Sequence, residues 1–429
     1  MPTTRNPRSG MCSDLTSEPL PGTAKTGGLT LALENPGGWG RDILDGEALG
    51  KELTGTISRW LKKNRAQLQF IRRPGREGQV ARDTATLFIA RPGDPDNPGT
   101  PATLERMEIA GAEALTDVDL STPGHTPGAE PVTDPLLLVC THGKRDLCCA
   151  VKGRPLAAEL AATYPGMVWE SSHTKGHRFA PSMILLPWNY SFGTLSAVQT
   201  GAMLQDAAAG RLHVTGNRGR GTLGAQEQIA ELAVADYLAG AGETVAMSEL
   251  TVRRADSAPA PAAAEDTPEA APAPDPAAAA ADYAAVAASV DADLRRRAGE
   301  LITQRMEMKI TGRYEELKEL KRQGHFQPVH EYQQAVKQAA SERGVYGKYS
   351  KYNERRDKHT HKHGDHKHDK RQRMNPTFLV SDGDRSWTVT LERSTGHPVV
   401  SSCGDKQKTG TSWVAGGVRP VSPVSPGHE

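Results

Sequence analysis

The chain has 429 residues, 37% of them hydrophobic, a formal net charge of +1 and a mean hydropathy of −0.54. That length suits two or three domains, and the near-zero charge excludes an overall electrostatic commitment to nucleic acid or to a membrane surface. The N-terminus lacks the apolar segment of a secretory signal, and the longest apolar runs, Leu136–Val139 and Met183–Leu186, are too short to cross a bilayer, so a cytoplasmic protein is expected.

Residues 1–26 read as a disordered leader. Residues 27–121 have the pattern of a small α/β domain: a strand at Leu29–Leu33, a turn at Gly37-Gly38-Trp39-Gly40, a helix from Ile43 to Lys62, and strands at Leu68–Arg72 and Thr86–Ala90. A Pro/Gly-rich connection follows. The next domain, 134–255, opens with the apolar strand Leu136–Cys140 and passes through a polar loop to a helix at Pro155–Ala162. Strands at Met167–Glu170 and Met183–Leu186, helices at Thr194–Ala209 and Ala225–Leu238, and a strand at Glu249–Arg253 complete it. Strands alternating with helices of these lengths imply an α/β fold. The segment Gly216–Gly224 (GNRGRGTLG) has neither Walker nor Rossmann spacing. It reads as a basic, solvated loop that offers Arg218 and Arg220 to water or to an acidic partner.

Composition changes at residue 256. Residues 256–281 are an Ala/Pro linker, 283–345 look helical, and 346–373 are strongly basic and hold His359, His361, His363, His366 and His368. Such a tract supports loose metal binding and, at most, weak non-specific contact with nucleic acid. Strand patterning returns at Pro376–Val380 and Trp387–Leu391. Residues 256–374 are therefore expected to interrupt the second domain, which 385–405 completes within its sheet, and 406–429 to form a flexible tail.

Five cysteines, Cys12, Cys140, Cys148, Cys149 and Cys403, are an odd set that does not suit a disulfide framework. The stretch CTHGKRDLCC (Cys140–Cys149) gives C-x8-C, and SSHTKGHRFAP (Ser171–Pro181) gives H-x3-H. Two thiolates and two imidazoles are a full ligand set for one zinc ion or for a 2Fe–2S cluster. Structural zinc usually pairs its cysteines more closely, so the wide loop suits something larger than one ion. Cys140 ends a strand and Cys149 opens a helix, whose N-terminal partial charge favours thiolate. Gly176 lets the histidine loop turn tightly. Lys144, Arg145, Lys175 and Arg178 place positive charge beside the sulfurs, Cys148 is a neighbour or substitute ligand, and His142 is a hydrogen-bonding residue that would compete with His173 for zinc. Cys12, in the leader, and Cys403 read as ordinary thiols. A C-x-x-C redox motif is missing, as is any opposed carboxylate pair for glycoside hydrolysis.

These motifs resemble the sucrase/ferredoxin-like family. The matching residues run Cys140-Thr-His-Gly-Lys-Arg-Asp146, Cys148-Cys149-Ala150, Gly153-Arg154-Pro155-Leu156, Trp169-Glu170, His173 and Gly176-His177-Arg178-Phe179-Ala180. Upstream they include Leu20-Pro-Gly-Thr-Ala24, Glu34-Asn-Pro-Gly-Gly-Trp-Gly40 and Ile71-Arg-Arg-Pro74, and downstream Gln226 to Ala233 and Ser401-Ser-Cys-Gly404. The resemblance implies a thioredoxin-like fold for the second domain; with the patterning above, the architecture expected is α/β, this domain preceded by a smaller α/β domain and interrupted by a long low-complexity and helical insertion that the resemblance leaves unmatched. It implies a 2Fe–2S cluster held by Cys140, Cys149, His173 and His177. Lys175 departs from the pattern, standing where the family's loop has a glycine. The function implied is non-enzymatic one-electron transfer with a redox partner protein, a reductase or an acceptor. Histidine ligation would raise the potential and let a proton accompany the electron. The alternative is a structural-zinc binding module whose basic insertion carries the interactions.

Overall fold

Short, largely buried strands bounded by turns build the centre of this protein. The computed structural model describes residues 10–97, 100–255 and 375–421, together with scattered residues between 291 and 338. The expectations for the linker 256–281 and the basic tract 346–373 lie outside the described residues. The chain divides into two compact units, Met1–Pro259 with Asn375–Glu429, and Ala260–Met374. Unit one, interrupted in sequence by unit two, carries all five cysteines. Among the described residues no helix is long and apolar enough to cross a membrane.

In chain order, unit one contains α1 (Cys12–Leu15), β1 (Thr30–Glu34), α2 (Lys51–Asn64), β2 (Gln67–Arg72), β3 (Ala85–Arg91), β4 (Thr103–Ile109) and β5 (Glu130–Pro131). There follow β6 (Leu136–Cys140), α3 (Leu147–Thr163), β7 (Val168–Ser171), β8 (Ser182–Leu186), β9 (Tyr190–Gly193), α4 (Ala197–Ala208), β10 (Asn217–Arg220) and α5 (Ala225–Gly240). Four more strands, β11 (Thr251–Arg254), β12 (Thr377–Ser381), β13 (Ser386–Val399) and β14 (Lys408–Pro420), complete it.

Ten strands form one mixed sheet in the order β10-β9-β8-β6-β7-β2-β1-β3-β4-β5. The order is nearly a palindrome. β1 and β2 are parallel across α2, with β3 antiparallel to β1 and β4 to β3. β6 and β7 are parallel across α3, with β8 antiparallel to β6 and β9 to β8. The same β-α-β-β-β plan is thus used twice, and the halves meet edge to edge where β2 runs antiparallel to β7. Each half buries its own core, one around Leu31, Phe70 and Leu87, the other around Leu137, Met183 and Phe192.

Two expectations need correction. Trp387–Leu391 does not rejoin the large sheet. It lies in β13 of a separate four-stranded sheet, order β11-β12-β13-β14, whose Phe378, Val380, Trp387 and Val389 pack in the same core as Ile229 and Val234 of α5. Nor is 406–429 a free tail throughout, because Lys408–Pro420 pairs along the length of β13. Alternation in β13 carried a strand signal, but the glycine-rich partner carried none.

Candidate metal centre

β6 is apolar at every position because it lies in the middle of the sheet, and it delivers Cys140 at its end, fully buried. The chain then turns through His142, whose Nε2 bonds the Gly40 carbonyl at 2.9 Å while its ring meets Trp39 edge-on. The GGWG loop of the first half therefore packs against the cysteine loop of the second. α3 begins at Leu147, eight residues before the Pro155 that reads as its start, and so takes Cys148 and Cys149 into its first turn. Gly153 makes this possible: a Cβ there would overlap the Cys140 carbonyl, so only glycine lets α3 lie this close to β6.

Cys140, Cys149 and His173 form one group whose ligand atoms lie within 4.8 Å of one another. His177 belongs to an adjoining group with Cys12, Asp146 and Cys148, on the same criterion. The two groups meet at the peptide between Cys148 and Cys149 and at the two imidazoles, whose centroids are 5.2 Å apart. A hydrogen bond from Cys149 holds the Cys140 thiol well below its usual range, with His173 adding to the effect, and raises Cys149 in turn. In the second group a hydrogen bond from Cys12 lowers Cys148 and raises Cys12. His173 Nδ1 is buried without a hydrogen-bond partner, and ligation of that ring to a metal would offset the loss. The donor set therefore fits a soft or borderline metal centre.

Asp146 is the residue that the spacing argument passes over. It is the N-cap of α3, yet its side chain makes no capping bond. It accepts instead from His177 Nδ1 at 3.1 Å, Cys148 Sγ at 3.4 Å, the Cys403 backbone N–H at 3.2 Å and Ser402 Oγ. An Asp at an N-cap is normally worth about 1 kcal/mol to its helix. Here that stabilisation is given up in order to hold the site.

The thiols read as ordinary are also present. Residues 10–26 are not disordered as expected of a leader. α1 puts Cys12 at 0% exposure, 3.4 Å from Cys148 Sγ and 3.7 Å from Cys403 Sγ. The segment is anchored where Val400 N bonds Thr16 Oγ1 at 3.1 Å and Ser17 N bonds the Pro398 carbonyl at 3.0 Å. Cys403 arrives on the loop between β13 and β14. Neither cysteine has a neighbouring ligand in sequence, so spacing gives no signal for them.

The basic residues are placed differently from the expectation. Lys144 pairs with Glu47 and Arg178 with Glu18, so both charges are matched by carboxylates, and the Arg145 backbone closes a turn on His142. Lys175 is exposed and has a φ of 60°, the left-handed region, whereas Gly176 does not. Gly176 is needed for space, since a Cβ would overlap the Arg218 guanidinium. Arg218 and Arg220 are not in a solvated loop. They lie on β10 at 0% and 1% exposure. Arg218 donates to Thr23, Ser182 Oγ and the Lys175 carbonyl, thereby bracing the histidine loop.

The sucrase/ferredoxin-like family model matches residues 20–218, from before β1 into β10, a span that contains Cys140, Cys149, His173 and His177. Over these residues, a little under half of its length, the chain is similar to the sucrase/ferredoxin-like family. No curated protein and no solved structure matches it. The family match excludes Cys12 and Cys403, so the two thiols that close the outer side of the site come from outside the sucrase/ferredoxin-like span.

Proposed function

We propose that the half built from β6, α3, β7, β8 and β9 is a thioredoxin-like unit that holds a 2Fe–2S cluster through Cys140, Cys149, His173 and His177. Its function is the transfer of single electrons with a redox partner protein, a reductase or an acceptor, in the cytoplasm. The observation that carries this reading is the convergence of two buried thiols, Cys140 and Cys149, with the half-buried His173, and the His177 ring beside that of His173. When bound, the cluster would supply a one-electron couple whose potential histidine ligation raises above that of all-cysteine ferredoxins.

The residues divide the work. Cys140 and Cys149 offer two thiolates from a rigid strand end and a helix N-terminus, both fully buried. His173 and His177 offer imidazoles from a loop braced by Arg218. Donation from His177 Nδ1 to Asp146 fixes the tautomer and leaves Nε2 for iron. The His177 side chain keeps 16% of its surface exposed, so the histidine edge is the route by which a partner's electron reaches the site.

The test is anaerobic purification followed by visible and EPR spectra, with iron, sulfide and zinc quantified on one sample. Charge-transfer bands, two irons and two sulfides per chain and a rhombic signal on reduction are expected. His173→Cys and His177→Cys variants should keep the cluster at a lower potential. A colourless protein, still colourless after iron–sulfide reconstitution, with zinc lost from a Cys140→Ser variant, would replace this reading with the structural-zinc module.

A further inference from the structure

Beside the proposed cluster ligands lies a second set of metal-binding side chains that the electron-transfer reading does not use. Cys12 Sγ is 3.4 Å from Cys148 Sγ, 3.7 Å from Cys403 Sγ and 3.9 Å from Asp146 Oδ1, and Cys148 Sγ is 3.4 Å from the same Oδ1. A tetrahedral zinc ion with metal–sulfur bonds of about 2.3 Å and metal–oxygen bonds of about 2.1 Å separates its ligand atoms by roughly 3.5–3.8 Å. Four of the six separations in such a site, including that from Cys12 to Cys403, are thus close to that range.

We propose that Cys12, Cys148, Cys403 and Asp146 Oδ1 form a zinc site distinct from the Cys140, Cys149, His173 and His177 set. Three further observations support it. Cys12, Cys148 and the Asp146 side chain are wholly buried, with Cys403 half-buried beside them, and three thiols around one carboxylate make a donor set that suits a borderline cation. The Cys12 backbone N–H donates to Cys403 Sγ at 3.5 Å, as backbone amides do to metal-bound thiolates. Three thiolates and one carboxylate also carry the same charge as the ligands of a four-thiolate zinc site. The carboxylate divides its roles: Oδ1 faces the thiols while Oδ2 accepts the hydrogen bond from His177 Nδ1. His177 Nδ1 also lies 3.7 Å from Cys12 Sγ, making His177 the one group that both sites touch. The zinc would staple together three segments remote in sequence, namely α1, the start of α3 and the β13–β14 loop.

Full-length protein, passed over a chelating resin that strips weakly held metal, is assayed for zinc and iron by mass spectrometry. One tightly held zinc per chain is expected. Cys12→Ser and Cys403→Ser should each lose it while keeping the iron content and visible spectrum of the parent. Cys403→His, which keeps a zinc donor, should retain it, and cobalt replacement in the unmutated chain should give thiolate-to-cobalt charge transfer. Loss of iron together with zinc in the Cys12→Ser variant would overturn the proposal by assigning these thiols to the cluster. A Cys12–Cys148 or Cys12–Cys403 disulfide in intact-mass and peptide analysis would also overturn it, as would rapid native alkylation of Cys12. Zinc lost from Cys140→Ser but kept in Cys12→Ser would refute both this site and the cluster. Zinc behaving as expected in a chain without iron would refute the cluster alone.

Discussion

At the scale of single residues, the four candidate cluster ligands were legible because their spacing is a chemical pattern in itself. Cys12 and Cys403 were not, since 391 positions separate them and proximity created only by folding leaves no mark on local sequence. Asp146 stood in plain view inside CTHGKRDLCC, but attention to its basic neighbours hid it. Lys175 shows the opposite limit. The sequence permits a lysine only where φ is negative, yet φ is 60°, a conformation that is unfavourable by about 1 kcal/mol for a residue with a Cβ. Lys175→Gly should therefore stabilise the protein, by about 0.5 kcal/mol once glycine's greater freedom in the unfolded chain is subtracted. Urea denaturation at equal metal content would measure this.

Among elements, long periodic helices and apolar strands were readable, and short strands with polar or glycine-rich sequences were not. β10 reads NRGR and has no hydrophobic alternation, yet all four of its residues are buried. What makes this possible is pairing: Arg220 Nη2 lies 2.8 Å from Glu231 Oε1 on α5, with side-chain exposures of 1% and 0%, and Tyr190 donates to the same oxygen. Partner residues on different elements cannot be matched from sequence, so the arginines looked like surface charges. Glu231→Gln would leave Arg220 buried without a counter-charge and should destabilise the protein by about 3–5 kcal/mol. The change would be read as a fall in urea midpoint with unaltered slope. α3 was misjudged at its start because Pro155 is a favoured first-turn residue. Close packing through Gly153 overrides that local signal.

For the whole molecule, the alternation of strands and helices announced an α/β fold. It could not disclose that two copies of one plan share a continuous sheet, because each copy looks like a separate domain when read along the chain. Two residue pairs are in register between β2 and β7, Ile71 with Ser171 and Arg72 with Glu170, and Ser172, directly after β7, bonds Phe70 and Gln69. Arg72 reinforces this seam, pairing with Glu170 at 2.8 Å and lying 4.5 Å from the Trp39 ring centroid. Arg72→Ala leaves Glu170 buried with only Thr141 donating to it, which should cost about 2–3 kcal/mol. Both halves are expected to unfold together in one shifted transition, monitored by tryptophan fluorescence and far-ultraviolet circular dichroism. Two separate transitions would show that the seam does not couple them.

The arrival of Cys403 from the β13–β14 loop also sets an order of events during synthesis. Cys140, Cys149, His173 and His177 leave the ribosome more than 220 residues before Cys403 does, an interval of about 11–45 s at ordinary elongation rates. Throughout that time the side of the pocket formed by Ser402 and Cys403 is open. Closure of the site is thus a late step on the nascent chain, completed only when the last strands pair.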